Sequence, residues 1–211
     1  MVAEKKKALG EILIFLICDA FVLILGNILL VNLSEYELKW SIMIDPLITV
    51  LQIAVVFVPV LILKDRQLNM GFSKTKLWVQ FIYGFLLFAG MLIIFKIFGN
   101  SCAGMPFKAD RIMAYSVYSA FSAALTEELA YRGLLFTRIK ALSGNTVAAI
   151  VVSSVLFGVS HFMVGDIEHI IMSTVTGLLL CSARAYLKNC TLISTMTAHF
   201  LYDFLMCYIT I

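Results

Sequence analysis

A chain of 211 residues that is 62% hydrophobic and only 14% charged, with a mean hydropathy of +0.99, is too apolar for a water-soluble domain, in which about a quarter of residues are charged. That composition excludes a cytosolic catalytic domain and a nucleic-acid-binding protein, and it predicts an integral membrane protein of the all-α class, a polytopic transmembrane helix bundle. The net charge of +3, from 16 Lys+Arg against 13 Asp+Glu, is small, so the placement of the cations matters more than their sum.

At about 20 apolar residues per crossing, the chain has room for about seven spanning helices. The apolar runs place them near residues 10–31, 44–63 and 77–98, forming an N-terminal unit over 1–111. Four more follow near 112–138, 146–165, 168–187 and 191–210, forming a core over 112–211. The first run follows Lys5, Lys6 and Lys7 but exceeds a signal-peptide core and lacks a small-x-small cleavage site, so it is expected to remain as a helix. Asp19 and Asn27 within it are expected to pair with neighbouring helices. Asp45-Pro46 reads as a helix start, and Pro59 as a kink further along that helix. Ser154-x-x-x-Gly158 and Ser173-x-x-x-Gly177 have the small-residue spacing of close helix packing. Cys18, Cys102, Cys181, Cys190 and Cys207 show neither a disulfide framework nor a metal-knuckle spacing.

The cations between these runs fall on alternating sides. Lys5, Lys6, Lys7, Lys64, Arg66, Lys74, Lys76, Arg138, Lys140, Arg184 and Lys188 share one side, against Lys39, Lys96, Lys108 and Arg111 on the other. The positive-inside rule makes the first side cytoplasmic and predicts an inside N-terminus with an odd number of crossings.

Ionisable side chains at membrane depth are expensive and need a partner or a wet cavity, yet the second half of the chain concentrates them. The fourth run carries Glu127, Glu128 and Arg132. Glu128 and Arg132 are four apart with the acid first, the favourable orientation for a helical ion pair. Glu127 points about 100° away, so one carboxylate is paired while the other is free; a plain charge cluster at a helix end is the structural alternative. The fifth run places Phe157 and His161 on one face, and a lone histidine there is as readily a packing residue as a functional one. The seventh carries Thr191, Thr195, His199, Asp203 and Cys207 at every fourth position, a stripe expected to face the interior. Asp203, one turn from His199, can orient its imidazole and raise its basicity. With a rise of 1.5 Å per residue from the cytoplasmic boundaries, Glu127 lies roughly 20 Å deep, His161 roughly 21 Å and His199 roughly 14 Å. The three heights agree provided the fourth helix continues to Arg138–Lys140.

Three motifs in this order, Glu127-Glu128-x-x-x-Arg132, Phe157-x-x-x-His161 and His199-x-x-x-Asp203, resemble the CPBP (Abi) family of intramembrane proteases, which takes in type II CAAX prenyl endopeptidases and bacteriocin self-immunity or processing proteins. The resemblance covers about residues 112–210. The family's last position is Asn or Asp, and Asp203 adds a charge that Asn would not. What the resemblance implies is peptide-bond hydrolysis in the membrane. Glu127 and His161 would activate a water, His199 and Asp203 would stabilise the oxyanion, and Glu128, Arg132 and Phe157 would support them. Glu127, His161 and His199 also make up a His₂Glu set of the kind that holds catalytic zinc. No carboxylate lies at the i+4 spacing from His161, which favours a site without metal and predicts no stoichiometric zinc after dialysis. The partners expected are membrane lipid and a membrane-anchored or amphipathic peptide, of the CAAX type or, in a bacterial plasma membrane, of the bacteriocin or pheromone type. The alternative is a non-catalytic immunity or regulatory protein of the same fold. A small proton-coupled transporter is disfavoured, because the sequence has no internal repeat. His169 is expected to be solvated in an outer loop, and Tyr131 and Tyr202 to be packing aromatics.

Overall fold

Helix breakers and caps set the order of the chain. In the computed structural model, which describes residues 2–33, 37–64, 69–98, 113–163 and 165–206, all regular structure among the described residues is helical. The helices are α1 (Val2–Leu33), α2 (Glu37–Ile62), α3 (Leu77–Phe98), α4 (Met113–Glu127), α5 (Phe136–Ser143), α6 (Thr146–Ser160), α7 (Ile167–Tyr186) and α8 (Leu192–Met206). A π-helical segment, Glu128–Leu135, joins α4 to α5 without interruption, and a 3-10 turn, His161–Met163, extends α6. Seven helical rods therefore stand close to where the apolar runs place them. Gly144 in the left-handed conformation ends α5. The Asn145 side chain accepts from Val147 N and Ala148 N to start α6, and Asp166 accepts from His169 N to start α7. One start differs from expectation: α2 begins at Glu37, so Pro46 lies inside the helix, as does Pro59. Arg66, Lys108, Arg111, Cys102 and Cys207 lie outside the described residues, as do the side chains of Asn27, Lys39 and Asp45.

The largest apolar cluster joins α1 through Phe15, α2 through Val56, the π segment through Leu134 and Leu135, α6 through Phe157 and α8 through Leu192. A smaller one joins Leu87 and Met91 of α3 to Leu180 of α7 and Ala198 of α8. The glycine seams hold: a Cβ on Gly158 would meet Thr174 and the Ile170 carbonyl, and one on Gly177 would meet Ser154 and Phe157, so α6 and α7 are in close contact. The outer surface is apolar. Ile17, Phe21, Leu61, Phe85, Leu86, Ile93 and Val152 are all exposed, an extent of bare hydrocarbon that water does not tolerate and lipid does. Three stretches, Ala3–Gly26, Leu77–Ile97 and Thr146–Met163, are long and apolar enough to cross a membrane, and Pro46–Ile62 is a shorter apolar helix. The protein is an integral membrane protein, and several polar residues of the other helices, among them Glu128, Arg132, Ser173, Thr176, Thr195 and His199, are buried.

Two features tie the ends of the helices together. Glu11 on α1, fully buried, is ion-paired with Arg138 on α5; it is an intramembrane carboxylate that the sequence reading passed over. Residues 69–76 form a loop whose backbone is held from several sides. Arg184 donates to Met70 O at 2.9 Å, Leu192 N to Gly71 O at 3.2 Å, and Gln80 to Ser73 O and Thr75 O at 3.0 and 2.7 Å.

Candidate active site

The two adjacent glutamates stand at the junction of α4 and the π segment, and their environments diverge. Glu128 is fully buried, with Oε1 at 3.1 Å from Arg132 Nη1 and 3.0 Å from His199 Nδ1. The guanidinium of Arg132 lies 4.0 Å above the centre of the Phe157 ring, so the aromatic face supports the cation on the side away from the carboxylate. Glu127 instead keeps 27% of its side chain exposed, and its Oε2 is 3.6 Å from His199 Nε2. Glu128 is the carboxylate paired with Arg132, as expected, but Glu127 also lies within ion-pair reach of His199. The link from Glu128 to His199 was not expected, because it joins two helices whose register to each other no single-helix periodicity reveals.

His199, on α8, is held by carboxylates on every side. Nδ1 faces Glu128, while Nε2 lies 3.4 Å from Asp203 Oδ2 as well as 3.6 Å from Glu127. Carboxylate oxygens only accept, so both ring nitrogens are placed to donate. His161 is arranged differently. It is the first residue after α6, with φ −85° and ψ 0°, the sparsely populated bridge region in which active-site residues are often found. Its Nδ1 lies 2.8 Å from the Phe157 carbonyl. A carbonyl can only accept, so Nδ1 carries the proton and Nε2 keeps its lone pair. Phe157 is central to the group, since its ring touches those of His161 at 4.8 Å, Tyr131 at 5.3 Å and His199 at 6.1 Å.

His161 and Glu127 are not bonded to one another, but they line one cavity of about 150 Å³, together with Ser160, Tyr131, Asp19 of α1 and Gln52 of α2. A water molecule's share of the liquid is about 30 Å³, so several fit there. Asp19, Gln52 and Ser160 are site residues that the motifs do not contain; the signal for Asp19 was its place in an otherwise apolar run. One expectation is corrected and another extended. His169 is not in solvent but partly buried, its ring stacked on His161 at 5.3 Å and 29°, because the Asp166 cap starts α7 early enough to turn His169 inward. Tyr131 packs as expected, yet its hydroxyl also donates to Asp19 Oδ2 at 3.1 Å. Among the described residues, no three His, Cys, Asp or Glu side chains converge closely enough to hold a metal ion. The set Glu127, His161 and His199 is therefore not assembled as a ligand sphere, for a local reason: both nitrogens of His199 are directed at carboxylates.

Comparison with known proteins meets these residues. A model of the family "Type II CAAX prenyl endopeptidase Rce1-like" matches residues 109–205, the stretch that carries all three motifs. An uncharacterised protein of Mycoplasma capricolum subsp. capricolum is 28% identical over 129 residues, 61% of this chain; the match spans about a third, 32%, of that protein's length. No solved structure matches the chain. Residues 109–205, which hold Glu127, Glu128, Arg132, Phe157, His161, His199 and Asp203, are thus similar to the type II CAAX prenyl endopeptidase family.

Proposed function

We propose that this protein is a membrane-embedded endopeptidase that hydrolyses a peptide bond of a membrane-associated peptide, with Glu127 as the base. The observation that carries the reading is the unequal treatment of neighbouring carboxylates. Glu128 is buried and pairs through Oε1 with both Arg132 and His199, whereas Glu127 opens on a cavity that His161 also lines. In the reaction, Glu127 takes a proton from a water that His161 Nε2 helps to orient, and the water oxygen bonds to the substrate carbonyl carbon. The carbonyl electrons move onto oxygen, where the Nε2–H of His199, only loosely held by Asp203 at 3.4 Å and Glu127 at 3.6 Å, turns to the oxyanion and stabilises it by about 3 kcal/mol or more. Collapse breaks the C–N bond, and the proton held by Glu127 passes to the departing nitrogen, leaving an amine and a carboxylic acid that gives up its proton to water. Asp203 keeps the His199 ring in place and Arg132 holds Glu128. No step requires a metal.

In this reading the chain crosses the membrane seven times, with three spans in 1–111 and a four-span catalytic core in 112–211. The basic bias supports a cytoplasmic N-terminus, and the membrane of this reading is a bacterial plasma membrane. The substrate class is a membrane-anchored or amphipathic peptide of the CAAX, bacteriocin or pheromone type. The test is C-terminal peptide mapping on membranes from cells that express the wild type or Glu127→Ala at equal abundance. A peptide end that appears only with the wild type supports hydrolysis and names the substrate. Matching profiles with a cellular phenotype that survives the substitution would refute it and point to a non-catalytic immunity or regulatory role.

A further inference from the structure

Tyr131 stands four residues after Glu127 on the π segment, and little about its position is left to chance. Its ring is buried at 5% exposure and held edge-on by Phe15 at 6.3 Å and by Phe157 at 5.3 Å. Its hydroxyl donates to Asp19 Oδ2 at 3.1 Å, a contact between residues 112 positions apart. Asp19 and Gln52 belong to α1 and α2, outside the segment that matches the family, yet both line the cavity beside Glu127 and His161.

A phenol hydroxyl has one hydrogen to give and lone pairs with which to accept, while an ionised carboxylate only accepts. The contact with Asp19 therefore spends the donor and leaves the Tyr131 oxygen as an acceptor on the cavity wall. A peptide entering the cavity supplies the matching group in its backbone N–H. We propose that Tyr131 binds substrate by accepting a hydrogen bond from a backbone N–H near the scissile bond, and that Asp19 is a positioning residue that fixes the direction of the Tyr131 hydroxyl. The inference rests on the peptidase reading above, and it makes the first helix a working part of the binding site.

The test uses the full chain in lipid nanodiscs and a synthetic peptide spanning the mapped cleavage site, with each backbone amide other than the cleaved one methylated in turn. With the wild type, methylation at one position is expected to raise KM about two- to tenfold, the worth of one neutral hydrogen bond, with little change in kcat. Tyr131→Phe keeps the ring contacts and lacks the oxygen. It is expected to raise KM for the unmodified peptide by the same factor and to be indifferent to methylation at that position. Asp19→Leu should show a KM rise no larger, and the double variant no more than Tyr131→Phe alone, since the two act as one unit. A purely structural role for either residue would not erase sensitivity to a single methyl group. The proposal is overturned if no methylation raises KM with the wild type, a result that involves no variant and no question of folding. It is equally overturned if the penalty persists in Tyr131→Phe, or if the two substitutions multiply. Failure of the wild type to cut any peptide refutes the peptidase reading itself, and is seen before any variant is made.

Discussion

Replacing Arg132 by methionine keeps an unbranched apolar stem and removes the guanidinium with its charge. Arg132 and Glu128 are both fully buried and 3.1 Å apart. Removing one partner of a buried pair leaves an uncompensated charge, at a cost of about 3–5 kcal/mol. Loss of the guanidinium from the face of Phe157, 4.0 Å away, adds about 1–2 kcal/mol. Glu128 still receives the N–H of His199 at 3.0 Å, which keeps it from being wholly bare and sets the expectation at the lower end of the sum, about 4 kcal/mol. For a chain of this size that is about 8–16 °C in Tm, read by tryptophan fluorescence during thermal unfolding in detergent. The double variant Glu128→Gln/Arg132→Met leaves no buried charge of the pair and is expected to regain at least half of the loss, since the penalty is for an orphaned ion rather than for a missing attraction. A single variant that melts within about 2 °C of the wild type, or a double variant less stable than the single, would refute the argument.

Three further outcomes follow from the geometry. Gly71 has φ +85°, and an added Cβ would strike the Arg184 guanidinium. Gly71→Ala should therefore cost about 1–3 kcal/mol by strain and by displacing Arg184 from the Met70 carbonyl, and an unchanged Tm would contradict it. His169 stacks on His161, so His169→Ala should lower kcat about tenfold or more through a misplaced imidazole. His169→Phe, which keeps a ring in place, should retain most of the activity, and equal losses in the two variants would dismiss the stacking as irrelevant. Because both His199 nitrogens face carboxylates, hydrolysis is expected to continue in the presence of a strong chelator. Loss of activity that added zinc restores would show that the site rearranges around a metal.

Much of the bundle was legible because lipid imposes a simple code of long apolar runs separated by polar breaks. The ion pair of Glu128 with Arg132 was legible for the same reason, since both ends lie on one helix at a fixed spacing. What escaped lies between helices. The approach of Glu128 to His199, the entry of Asp19 and Gln52 into the cavity and the burial of Glu11 against Arg138 depend on how rods rotate against one another, and periodicity along one rod is silent about that. Pro46 misled because proline is tolerated inside a membrane helix, where neighbouring helices and side chains satisfy the backbone it frees. The turn of His169 onto His161 was hidden by counting it with the acidic residues around it rather than with the helix that Asp166 starts.

The π segment has a consequence for how this site can be lost. Its wide turns, seen in the bond from Phe136 N–H to Tyr131 O, amount to one residue more than an α-helix of the same span would hold. Deleting a single residue there, Ala130 for instance, would let ordinary α-helical bonds close over the same span, so that α4 and α5 keep nearly their present orientation while the wide turn between them is lost. Arg138 would stay with Glu11 and the bundle would still form, but Glu128 and Arg132, four residues apart, would be three apart, and the guanidinium would leave the Phe157 ring. All seven motif residues would still be present, and the site they form would not. For this protein, a one-residue gap in the stretch 128–135 is a more telling mark of an inactive relative than many substitutions elsewhere.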